Sequence, residues 1–194
     1  MRRKEILRKT NETRIRVSMN LDGTGKSAIE TGVGFLDHLL ALFAFHAGID
    51  LEIEAAGDLQ TDDHHIVEDI GIVMGQVLRA LADDKKGLAR YGYFLLPMDE
   101  VLARSVIDLS GRAYLVFAAE FRRENIGALA TENIEEFFKA LVREAELTLH
   151  LEILRPGNDH HQAEALFKCF GRALQTAVAK EKNGRIPSTK GMPE

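Results

Sequence analysis

Asp62-Asp63-His64-His65-Ile66-Val67-Glu68 returns about a hundred residues later as Asp159-His160-His161-Gln162-Ala163-Glu164. Written D-H-H-x-x-E, the pattern occurs twice in 194 residues and takes four of the seven histidines. On a helix, His64 and Glu68 lie four apart on one face, as do His160 and Glu164. The second histidine of each block points about 100° away around the axis, so a block can serve two points in space. Imidazole and carboxylate on one face form a divalent-metal donor set without thiolate. Asp63 and Asp159 are expected to cap the two helices, and Glu in a first turn suits the helix dipole. Capping leaves the paired histidines, mediocre helix formers, unexplained.

The repeat extends beyond the blocks. Leu51-Glu52-Ile53 overlays Leu151-Glu152-Ile153 at an offset of 100, and Asp63-His64-His65 overlays Asp159-His160-His161 at 96. At that second offset Ile70, Met74, Leu78 and Gly75 fall on Leu166, Phe170, Leu174 and Gly171. Agreement in ligands, apolar stripe and a mid-helix glycine argues for tandem duplication of a strand–helix–strand–helix unit. The expected architecture is α+β, one domain of two pseudo-symmetric halves (about 1–95 and 96–194), with sheets packed on helices.

Alternation places strands at Ile15–Met19, Ile49–Ile53, Val101–Asp108, 113–121 and Leu147–Ile153. Helical spacing predicts helices over Phe35–His46, from the first block to Lys85-Lys86-Gly87, over Glu135–Ala145, and from the second block onward. Net charge is −5 and no apolar run approaches a membrane span, which argues against nucleic-acid binding and transmembrane roles. The basic start lacks an apolar h-region, and a single cysteine forms no internal disulfide; the expectation is a cytoplasmic protein.

Other candidates are weaker taken singly. His38 starts a helix and overlays Glu136 near an offset of 98, which makes both candidate ligands. Asn133 with Glu136 also spells a capping box. His46 sits at a helix end, where an imidazolium suits the dipole. His150 reads as an exposed strand position, and Cys169, opposite Val73 in the repeat, as a small core residue. Gly23-Thr24-Gly25 lacks the remainder of a dinucleotide fingerprint and reads as a turn. Arg90, Arg112, Lys168 and Lys190 are candidate anion ligands. Arg112 follows Ser110-Gly111, and Lys190 lies in Ser188-Thr189-Lys190-Gly191, where turn N–H groups and hydroxyls can join the cation around phosphate.

Taken together the chain resembles the imidazoleglycerol-phosphate dehydratase family from Thr13 to Gly191. The likeness rests on Leu21-Asp22-Gly23-Thr24-Gly25, Thr31-Gly32-Val33-Gly34-Phe35-Leu36-Asp37-His38, Gly57-Asp58 and the first block. It continues through Pro97-Met98-Asp99-Glu100, Asp108-Leu109-Ser110-Gly111-Arg112, the second block and Ile186-Pro187-Ser188-Thr189-Lys190-Gly191. The resemblance implies a duplicated α+β fold with helices between two mixed sheets (ribosomal S5 domain 2-like), two Mn²⁺ per site, and a 24-subunit assembly with sites between subunits. It implies dehydration of D-erythro-imidazole-glycerol phosphate to imidazole-acetol phosphate in histidine biosynthesis, through a metal-stabilised imidazolate. By the same resemblance, His38, His65, His160 and Glu164 surround one metal, and His64, Glu68, Glu136 and His161 the other. Some members carry histidine at the position of Glu136. Glu12 is expected to handle proton transfer, with Glu68 and Glu164 as further catalytic carboxylates. Arg90, Arg112, Lys168, Ser188, Thr189 and Lys190, with Glu12, are the expected substrate contacts. A two-metal phosphoester hydrolase would instead release inorganic phosphate, and a metal-storage protein would turn nothing over.

Overall fold

The computed structural model describes residues 2–82 and 87–181. The first half holds β1 (Arg3–Lys9), β2 (Thr13–Asn20), β3 (Ser27–Glu30), α1 (Gly34–Ala47), β4 (Asp50–Gly57) and α2 (His64–Leu81). The second holds β5 (Tyr91–Met98), β6 (Val101–Asp108), β7 (Tyr114–Ala118), a hairpin β8 (Asn125–Ile126) and β9 (Leu129–Ala130), then α3 (Glu132–Ala145), β10 (Thr148–Arg155) and α4 (Asp159–Ala177). Apart from the hairpin, each half runs β-β-β-α-β-α, so the repeat is richer than the strand–helix–strand–helix unit expected.

The strands expected from sequence include the four central ones, β2, β4, β6 and β10, whose inward residues are buried, and one edge strand, β7. Besides the short hairpin β8–β9, the three strands not expected are edges. Two of them, β1 and β3, are largely exposed and carry little apolar signal. The third, β5, contains Gly92 and Pro97, which suit an edge strand where proline's missing N–H is tolerated. A Cβ at Gly92 would collide with the backbone of Ala173, so the glycine lets β5 lie directly on α4. The strand expected over 113–121 ends at Ala118. Beyond it the Arg122 and Arg123 N–H groups donate to Asp159 Oδ2 (2.9 and 2.8 Å) instead of extending the ladder.

The sheets have matching orders, β1-β2-β4-β3 and β5-β6-β10-β7. In each, the first three strands pair antiparallel and the last joins in parallel. The parallel neighbour follows a helical crossover, as that geometry demands. Helices α1 and α2 cover the first sheet and α3 and α4 the second, while α2 packs on α3 and α1 on α4. The helices therefore lie between two mixed sheets and share one apolar core.

The repeated mid-helix glycine has a packing reason. A Cβ at Gly75 would stand 2.6 Å from Leu141 O, and one at Gly171 2.8 Å from Phe43 O. Gly71 adds a third close approach, 2.6 Å from Phe137 O. Paired helices thus touch backbone to backbone, with His64 level with Asn133, Gly71 with Phe137 and Gly75 with Leu141.

The outer faces of the sheets differ. The first carries an ion-pair ladder in which Arg16 reaches Glu5, Glu54 and Glu52. The second exposes Tyr91, Tyr93, Leu95, Val106, Tyr114 and Leu154. His150 is half-buried among them, 6.5 Å from the Tyr114 ring, rather than standing in open solvent. No described helix is long and apolar enough to cross a membrane. Lys85 and Lys86, and Ser188, Thr189 and Lys190, lie outside the described residues.

Candidate metal centre

Both blocks begin helices; Asp63 is the N-cap of α2 but its side chain does not cap, and Asn158 rather than Asp159 is the N-cap of α4. Asp62 Oδ1 accepts the His64 N–H and Asn158 Oδ1 the His160 N–H, each at 2.9 Å. Asp63 instead accepts the Ala130 N–H, and Asp159 those of Arg122 and Arg123. The first-turn aspartates therefore hold neighbouring loops, which frees the histidines to project.

Because α4 packs on α1, His160 and Glu164 meet His38. Nε2 of His38 lies 2.6 Å and Nε2 of His160 2.9 Å from Glu164 Oε1. These three donor atoms all fall within 4.8 Å of one another. Two imidazole nitrogens and a carboxylate oxygen are a fitting donor set for Mn²⁺, and three protein donors leave positions for other ligands. Lys168 Nζ bonds the other oxygen, Oε2, at 2.6 Å. Burial would raise the Glu164 carboxyl, but Lys168, His38 and His160 together hold it down at about 2. It is therefore ionised and ready to ligate at neutral pH.

The first half is looser. Nε2 of His64 faces Glu68 Oε2 at 3.7 Å, while Nδ1 sits 2.9 Å from Asn133 Oδ1. Asn133 is buried inside α3, whose N-cap is Thr131, so the expected capping box does not form; its amide holds an imidazole instead. Glu68 also reaches Arg143 of α3 at 3.6 Å. Glu136 lies on the same helix but pairs with Lys139 at 2.8 Å and does not join a three-donor cluster among the described residues.

The second histidine of each block turns away from its own half-site. His65 Nδ1 lies 3.0 Å from Asp58 Oδ2, a bond that is the main reason its pKa is raised. His161 Nδ1 lies 3.2 Å from Glu100 Oε2, with exposed Asp99 at 3.9 Å. Glu100 is held at about 2, chiefly because it accepts the Asn158 N–H, at 2.6 Å. In both rings Nδ1 is engaged, and Nε2 on the far edge has no partner among the described residues. Asp58, Glu100 and Asn133 were not singled out from sequence as site residues.

Of the anion candidates, Lys168 borders the cluster. Arg90 has φ of 71° and a guanidinium clamped by Asp108, through Nε to Oδ1 at 2.6 Å and Nη2 to Oδ2 at 3.1 Å. Arg112 is exposed in the turn after β6. Both stand at the opposite end of β5–β6 from Glu100 and His161, about 20 Å or more along eight extended residues. Glu12 is exposed just before β2, near enough to His65 to raise its pKa, and its carboxylate makes no hydrogen bond among the described residues.

Three further readings resolve here. His46 does not favour its charged form: burial, then Lys168 and Arg172, lower its pKa. Cys169 is buried and its thiol is pushed up to about 12 by desolvation, as a core residue requires. The Gly23-Thr24-Gly25 turn is structural, with the Thr24 and Lys26 N–H groups donating to Asp50 Oδ1 (2.8 and 3.2 Å).

With this geometry in place, comparison with known proteins is informative. A family model described as imidazoleglycerol-phosphate dehydratase matches residues 31–174. The chain is 52% identical over 188 residues to the imidazoleglycerol-phosphate dehydratase of Clostridium botulinum, covering 97% of this chain and 96% of that one. It is 52% identical over 191 residues to that of an Exiguobacterium species, covering 98% of each. The crystal structure of the Staphylococcus aureus enzyme superposes with a TM-score of 0.83 at 48% identity, over 92% of this chain and 99% of that chain. The Pyrococcus furiosus structure, in complex with (S)-C348, gives 0.83 at 35%, over 97% of this chain and 100% of that chain.

Proposed function

The chain belongs to the imidazoleglycerol-phosphate dehydratase family, and on that premise we propose that it is a Mn²⁺-dependent, cytoplasmic hydro-lyase of histidine biosynthesis. It converts D-erythro-imidazole-glycerol phosphate to imidazole-acetol phosphate and water. The observation that carries the metal dependence is the convergence of His38 Nε2 and His160 Nε2 on Glu164 Oε1. That group binds one Mn²⁺ together with His65, while His64, Glu68 and Glu136 bind the other with His161. Each ion thus takes the first histidine and the glutamate of one block and the second histidine of the other block.

The second histidines face away from their own half-sites, which supports completion by a neighbouring copy. So does the separation of Arg90 and Arg112 from Glu100 and His161 along β5. The apolar outer face of the second sheet fits a chain that self-associates. The assembly proposed has 24 subunits.

The reaction removes a weakly acidic C–H proton and expels the neighbouring hydroxyl. Bound Mn²⁺ supplies Lewis acidity that lowers the pKa of a substrate imidazole N–H. Glu12, exposed and without a hydrogen bond to its carboxylate among the described residues, moves the proton. Arg90, Arg112, Lys168, Ser188, Thr189 and Lys190 hold the phosphate and orient the imidazole. Charge reversal at Arg112 should raise KM sharply; a normal KM would remove it from the phosphate site.

The deciding experiment measures turnover by metal-stripped protein before and after adding Mn²⁺, with an assay for inorganic phosphate. Activity restored by metal with no phosphate release supports the lyase. Phosphate release would indicate a hydrolase, and tight metal binding without product a storage protein.

A further inference from the structure

The two halves hold their outward histidines by different means. In the first half Asp58 accepts from His65 Nδ1, and in the second Glu100 does so from His161 Nδ1. These carboxylates are not equivalent in the repeat. Asp62 and Asn158 are equivalent, since the side chain of each accepts the N–H of the block's first histidine. In the strands the register puts Leu51 level with Leu149, an offset of 98, whereas the blocks that follow sit at 96, so the connection between strand and helix is longer in the first half. Residues 58–63 join β4 to α2 whereas 156–158 join β10 to α4, and the first residue of the longer connection supplies the carboxylate. The second half has the shorter connection and draws its carboxylate from the β5–β6 turn. The residue equivalent to Glu100, directly before β2, is Glu12.

From this we infer that Asp58 and Glu100 are positioning residues, each fixing the tautomer and orientation of the histidine that a half-site sends outward. An Nδ1–H donated to carboxylate leaves Nε2 unprotonated and aimed, and makes it more basic as a ligand. The same function reached by unrelated positions in two copies of one repeat is the mark of a requirement rather than of shared ancestry. Gly157 supports the assignment independently. A Cβ there would collide with Glu100 Cγ and Oε1, so the glycine keeps open the space that the carboxylate occupies. Where Asp58 takes over the anchoring in the first half, Glu12 is released from it, consistent with its carboxylate making no hydrogen bond there among the described residues.

The inference rests on the two-metal reading, and one titration separates the two. Free Mn²⁺ is followed by electron paramagnetic resonance as it is added to the assembled, metal-stripped full chain. Wild type should fill two sites per chain. Asp58→Asn and Glu100→Gln should each weaken one of them by about 10–100-fold and leave the other unchanged. Gly157→Ala should reproduce Glu100→Gln. Two wild-type sites with unchanged affinity in folded, assembled variants would overturn the inference alone. Equal losses at both sites would mark a merely structural role and overturn it as well. A wild type that binds no Mn²⁺ would remove the two-metal reading, and the inference with it.

Discussion

The half-site of α1 and α4 is closed, whereas that of α2 and α3 is open, although both come from one duplicated unit. In the closed one, His38, His160 and Lys168 converge on Glu164. In the open one, Glu68 stands 3.7 Å from His64, Glu136 is diverted to Lys139, and Arg143 draws on Glu68. The position matching Lys168 is Ile72, so no lysine within the first block's own helix fixes its glutamate. Duplication copied the histidine–glutamate spacing, but the partner helix decides whether the donor atoms converge.

The contrast can be broken most directly at the glutamates. Glu164→Gln should lower turnover on the order of 10³-fold and remove one Mn²⁺, because it also leaves Lys168 without its carboxylate. Glu68→Gln should cost less metal affinity, since its half-site is less preorganised. Equal losses, read by metal analysis and steady-state kinetics, would show that assembly erases the difference. Next comes the pair Glu12 and Glu100. Glu12→Gln should reduce turnover by ~10²-fold or more with metal content retained. Unchanged turnover would remove Glu12 from the mechanism.

Smaller effects test the scaffold. Gly75→Ala and Gly171→Ala each push a methyl into a helix backbone, at 2.6 and 2.8 Å, and should cost about 1–3 kcal/mol, seen as a lower Tm. A neutral result at either would mean that the helix pair can separate there. Acid should act on both halves, since Asp22, Asp50 and Glu54 in the first are also held below their ordinary range. Glu164 and Glu100 both titrate at about 2 in the folded chain, below the ordinary 4.5. A depressed folded pKa gives stability that is complete above the unfolded value and lost as pH falls toward 2. The Tm of metal-free protein should therefore decline between about pH 4.5 and 2, and more shallowly in Glu100→Gln. Smallest is Cys169→Val, which places the first repeat's Val73 in its copy and should shift stability by about 1 kcal/mol or less.

The legible parts of the fold were those where one face is buried and the other wet. Alternation marked β2, β4, β6 and β10, and the apolar stripe marked α2 and α4. Edge strand β7 was legible through its apolar run, whereas β1 and β3 carry little apolar signal and β5 is interrupted by Gly92 and Pro97; these three are held by pairing with a neighbour. Asn133 was misread because a short polar side chain near a helix start has the same local signature whether it caps or reaches across to another helix. Asp58 opens the longer of the two strand–helix connections, but nothing local says that its carboxylate meets an imidazole seven residues on.

By itself, then, the sequence determined that the chain is a duplicated α+β protein with two histidine–glutamate blocks at helix starts, because spacing of 3.6 or 2 residues and an internal repeat are properties of one dimension. Only the tertiary structure decided which donors meet. His38 and Glu164 are 126 positions apart and His161 and Glu100 are 61 apart, and no pattern along the chain encodes either meeting. They are joined by glycines that let helices touch and by loops that aim rings outward, and those are consequences of packing.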